Sequence, residues 1–139
     1  MKRLAVVGLF VCAIAGAGCQ NEVSGPDYSI VSPVTETFQG TLGLQGSTFY
    51  SFAVGNPDPF WITLASLTKA NGTAVTTPVK LGVGVPSGET CATTTSLTTA
   101  SGLQAQLQQV ATAGVYCVVI TDTGALTEPL TFAIKIKHS

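Results

Sequence analysis

Charge is scarce in this chain of 139 residues, where only 9% of the side chains are Asp, Glu, Lys or Arg, against about 25% in typical soluble domains. Six basic residues cannot build the clustered positive face that a phosphate backbone demands, so nucleic-acid binding is excluded. Histidine occurs once, at His138, beside the last residue given, and the sequence predicts a frayed end there. One frayed imidazole excludes the histidine-dependent nucleophile triads and leaves zinc without a ligand set. The four cysteines contain no C-x-x-C pair, which argues against a redox motif. Asp58, Glu89, Asp122 and Glu128 fall in or beside turn-forming clusters, and Glu36 on an edge-like opening strand. They read as solvated acids rather than the paired carboxylates of a glycosidase. Calcium needs six to eight oxygens in a compact shell, and Glu22, Asp27 and Glu36 are too widely spaced to supply it. The expectation is therefore no enzyme, no metal and no cofactor.

Helical periodicity is missing too, while alternation is abundant. In "STFYSFAV", Tyr50, Phe52 and Val54 share one face; in "FWITLASL", Phe60, Ile62 and Leu64 do. "VKLGVGV" aligns Val79, Leu81, Val83 and Val85, and "LQAQLQ" sets Leu103, Ala105 and Leu107 against glutamines. "VYCVVIT" offers Tyr116, Val118 and Ile120, and "LTFAIKIK" offers Leu130, Phe132, Ile134 and Ile136. A period of two puts one face in a core and the other outside. Turn-forming clusters such as "GNPDP", "KANGT" and "PSGET" separate these runs. With "TETFQGTL" near residue 38, about seven or eight short strands result. One sheet would leave a greasy face wet, so two antiparallel sheets must pack face to face as an all-β sandwich.

The segments "ETFQGTLGLQGSTFYSFAV", "WITLASL", "LGVGVPSGETC" and "AGVYCVVITDTGALTEPLTFAIKI" together resemble the bacterial pre-peptidase C-terminal domain. The resemblance runs from about Glu36 to Lys137. It implies a small jelly-roll-like sandwich appended to exported proteins, with an accessory or binding role and no chemistry of its own.

The first eighteen residues follow another logic. Lys2 and Arg3 precede an apolar run of 14 residues, Leu4 to Ala17, that ends in small side chains. The run is short of the ~20 residues a membrane-crossing helix needs, and its layout is that of a signal peptide. "AGA", Ala15 to Ala17, would suit ordinary secretion, with cleavage after Ala17. "GAGC", Gly16 to Cys19, resembles the lipobox of bacterial lipoproteins, although Gly16 stands where that family prefers an aliphatic residue. The resemblance implies that Cys19 is acylated and becomes the first residue. Cys12 is lost on either route. Lipidation of Cys19 leaves Cys91 and Cys117 as a pair, whereas an unmodified Cys19 leaves an odd thiol in an exported protein. The expected organisation is a signal peptide over 1–18, a Gly- and Pro-bearing tether over 19–33, and a sandwich domain over 34–139. Past residue 18, four lysines against seven acids give a formal charge of −3.

This points to the cell envelope, with the membrane engaged through lipid on Cys19, at the outer membrane or cell surface in a Gram-negative host. A disulfide between Cys91 and Cys117 fits such an oxidising compartment. Two features suit binding. Trp61 is out of phase with Phe60 and Ile62, so its indole projects outward and could stack on a sugar or anchor a protein. Gln104, Gln106 and Gln108 read as a polar ladder able to meet carbohydrate hydroxyls. The leading function is a non-catalytic module for a polysaccharide or an envelope protein. The alternative is a docking subunit of a larger envelope assembly.

Overall fold

The alternating runs become eight strands in a computed structural model that describes residues 32–139. The expected signal peptide, Cys19 and nearly all of the expected tether lie outside the described residues. The strands are β1 (Val34–Leu42), β2 (Ser47–Val54), β3 (Pro59–Thr68), β4 (Val79–Ser87), β5 (Thr90–Thr99), β6 (Leu107–Val110), β7 (Gly114–Thr121) and β8 (Leu130–His138). They form two four-stranded sheets. Sheet A has the order β1-β8-β3-β6 and sheet B the order β2-β7-β4-β5. Every pairing is antiparallel, and this interleaved order is that of a jelly-roll sandwich.

The core is the pair of inner faces that alternation predicts. Phe60, Ile62, Leu64, Phe132, Ile134 and Ile136 from sheet A meet Phe52, Val79, Leu81, Val118 and Ile120 from sheet B, all buried. Phe52 and Phe60 join the layers edge to face, with ring centroids 5.2 Å apart. A bulge between Leu64 and Ser66 resets β3, so Leu64 and Leu67 both point inward. The Tyr50 hydroxyl donates to the Gln39 carbonyl at 2.8 Å and ties β2 to the outer edge of β1.

Among the described residues, only β4 and β5 form a hairpin within one sheet. Ser87 pairs with Thr90 across a two-residue loop. Gly88 has φ +59° there, while Glu89 keeps a negative φ, as a type II′ turn requires.

Asp122 corrects the expectation of a solvated acid. It is 5% exposed because its carboxylate binds two loops together. Oδ2 accepts the Gln45 amide at 2.8 Å. Oδ1 accepts those of Gly124 and Ala125, both at 2.9 Å, and of Leu126 at 3.2 Å. Gln45 sits at φ +54° in the β1–β2 turn, a conformation that this contact helps to hold. The Gln45 amide first, then those of Leu126, Ala125 and Gly124, hold the carboxyl below its ordinary value of 3.8, against an opposing effect of burial. A depressed folded value means that stability is fully present above the unfolded value and is lost as pH falls through the lower one. Asp122→Asn is therefore expected to melt lower than the parent at neutral pH and to lose less on acidification. Parallel melting curves for the two proteins down to about pH 2 would refute this.

Candidate functional site

Outward parity on sheet A gathers Trp61 of β3, Lys137 of β8 and Gln108 of β6. Trp61 lies directly opposite Lys137 on one side and Gln108 on the other. The Lys137 ammonium is 5.6 Å from the centre of the indole ring, a cation–π distance that holds the half-buried ring in place. Beside them opens a cavity of about 240 Å³, lined by Trp61, Lys137, Asp58, Pro59, His138 and Ser139, with Pro33 at its rim.

His138 is not frayed. It continues the inward parity of Ile134 and Ile136, is 6% exposed, and packs 5.7 Å from the Phe52 ring. Its Nε2 lies 2.7 Å from Glu36 Oε1, and its Nδ1 lies 3.3 Å from the Ser139 carbonyl. Both ring nitrogens thus face oxygens of the chain itself. Among the described residues, no three His, Cys, Asp or Glu side chains gather to hold a metal.

The three glutamines do not form one face. Gln104 is exposed in an irregular stretch before β6. Gln106 turns to β3: its amide N–H donates to the Ile62 carbonyl at 3.0 Å. Its Oε1 accepts the Leu64 amide at 2.7 Å, and its Nε2 donates to the Leu64 carbonyl at 3.4 Å. The Gln106 side chain thereby extends the ladder where backbone pairing stops. Gly102 also donates to the Leu64 carbonyl, at 2.9 Å. The chain from 102 to 106 therefore advances only from Leu64 to Ile62 along β3, and the surplus loops out. Leu103, expected in the core, is 93% exposed as a result. Gln108 alone of the three stands beside Trp61.

Sheet B holds a feature that alternation did not predict. Cys91 on β5 and Cys117 on β7 are separated by β4, and two strand spacings amount to about 9.5 Å. Their Cα atoms are nevertheless 5.8 Å apart, and the sulfurs are bonded. The register shift between Val83 and Gly84, which leaves Thr94 without a partner residue on β4, bends the hairpin so that its tip folds over the outer face of the sheet. Cys117 points outward by parity yet has no exposure, because the tip covers it. The same shift carries Val85, expected in the core, to 46% exposure. Gly84 makes the bend feasible, since a Cβ there would stand 1.9 Å from the Ala92 carbonyl oxygen.

Between the folded tip and the sheet lies a groove of about 430 Å³. Gly82, Val119 and the half-buried Phe49 line it from the sheet, and Glu89 and Thr90 line it from the tip. Its signal in the sequence was "GVGVPSGETC", where two glycines take outward positions of one strand and clear the space above it. A scan of protein-family models and a search of curated proteins found no match to this chain.

Proposed function

We propose that this chain is a non-catalytic, lipid-anchored module of the bacterial cell envelope that binds polysaccharide through the outer face of sheet A. The lipobox-like "GAGC" supports the anchor, and the resemblance to pre-peptidase C-terminal domains supports an accessory role. The observation that carries the binding reading is the row formed by Gln108, Trp61 and Lys137 beside an open cavity. An indole offers a flat apolar surface to the C–H face of a sugar ring. Gln108 provides both donors and an acceptor at the rim, and Lys137 provides donors only.

The test uses protein extracted from its own membrane. Its mass is expected to show acyl chains on Cys19, and on a glycan array Trp61→Ala is expected to lose at least about tenfold in affinity. An unacylated first residue removes the anchor from the proposal. Unchanged glycan binding by the variant removes the site, and capture of a protein in place of any glycan removes the ligand class.

A further inference from the structure

We propose that the groove on the outer face of sheet B, beneath the folded β4–β5 tip, is a second ligand site that takes a neutral saccharide unit of one or two rings. Its volume of about 430 Å³ falls in the range of small-molecule sites, roughly 300–1,000 Å³. Its chemistry is mixed in a particular way. Phe49 presents a half-exposed ring on a sheet face lined beside it by Ser47, Gly82, Val119 and Thr121, with the longer Lys80 as the exception. A pyranose has an apolar C–H face to lay on such a ring and hydroxyls around its edge.

The polar groups are matched to those hydroxyls. The Thr90 hydroxyl donates to the Ser87 carbonyl at 2.8 Å and that of Thr93 to the Cys91 carbonyl at 3.4 Å. Their protons are therefore engaged, which leaves each oxygen able only to accept, and the Thr93 methyl stands over Gly82, 2.8 Å from where a Cβ there would lie. Ser47 Oγ donates to the Ile120 carbonyl at 3.4 Å and lies 2.9 Å from Thr121 Oγ1, which donates to it, so both oxygens keep only acceptor capacity for a ligand. Lys80 and Glu89 complete the lining. Among the described residues, neither makes an ion pair with another side chain. One cation and one anion on the same groove cancel, which disfavours a simple anion or cation. A lone hydroxyl can accept from Lys80 and another can donate to Glu89, so a neutral polyol satisfies both. This site is distinct from the Trp61 face and does not depend on it.

Because the tip forms one side, occupancy requires the Cys91–Cys117 bond. The experiment titrates the full isotopically labelled chain with cellobiose, maltose and N,N′-diacetylchitobiose, with glycylglycine as a zwitterionic control. At millimolar disaccharide, the expected result is a set of amide shifts at Gly82, Thr90, Thr93, Val119 and their neighbours, separate from any at the Trp61 face and abolished by a reductant. Phe49→Ala is expected to weaken the binding at least about tenfold. Glu89→Ala, on an exposed turn where folding is not at risk, is expected to weaken it as well. Trp61→Ala should leave it unchanged. The proposal is overturned if no disaccharide shifts these amides, if the shifts survive Phe49→Ala and Glu89→Ala, or if glycylglycine alone produces them.

Discussion

Breaking the Cys91–Cys117 bond is expected to lower the melting temperature by about 15 °C. The bond closes a loop of 26 residues, and the chain-entropy model assigns a loop of that size about 3.5 kcal/mol. In a domain of this length each kcal/mol shifts the melting point by roughly 4 °C. The structure adds a local reason. The bond pins a hairpin tip to a sheet face that it does not pair with by backbone hydrogen bonds. Once the bond is broken, the tip loses its hold above β7 and water reaches the Cys117 position. Melting curves with and without reductant, and of a Cys91→Ser, Cys117→Ser double variant, measure this. A loss below about 5 °C would mean that packing alone holds the tip.

Gly84→Ala is expected to have a comparable effect by another route. The added methyl would stand 1.9 Å from the Ala92 carbonyl oxygen and 2.8 Å from the Thr93 Cα. Both are backbone atoms, which no rotamer change can move aside. Overpacking against side chains costs about 1–3 kcal/mol, and a clash with fixed backbone belongs at or above the top of that range. The bulge must straighten to relieve it. A straightened β4 carries Cys91 away from Cys117, so the variant is expected to expose titratable thiols where the parent shows none at these two positions. Thiol titration of the folded protein decides between them. An intact disulfide with an unchanged melting point would show that the bend does not depend on a glycine at 84.

The strands β2 and β8 could be read directly because their alternation runs unbroken from end to end. Tyr50, Phe52 and Val54 face inward as expected, and so do Leu130, Phe132, Ile134 and Ile136. Reading failed wherever one residue too many entered a strand pair. Val85 follows the bulge at Gly84, and Leu103 belongs to a stretch that outruns the strand it accompanies. A period of two carries no information about such insertions, since they depend on the partner strand. Trp61 was legible because its parity is undisturbed, and Gln106 was not because its partner is a backbone edge. Asp122 and His138 were misread for a related reason. Each is held by a partner far away in the chain, Gln45 for Asp122 and Glu36 for His138, 77 and 102 positions distant, while the three other amides on Asp122 are local. The groove needed both a bend and a disulfide, and only the disulfide could be inferred from the residues.

Among the described residues, strand β1 sits at the margin of sheet A, pairs along its backbone with β8 alone, and has the Tyr50–Gln39 hydrogen bond on its other side. Its register begins with Val34 opposite His138, at the end where the preceding chain enters. A pull transmitted from upstream therefore arrives at the first rung and loads the rungs in succession, like a zipper, instead of sharing the force among all nine paired residues. If the proposed anchor carries load, the attachment would yield by peeling from the first rung, and the strand could re-zip when the tension is released.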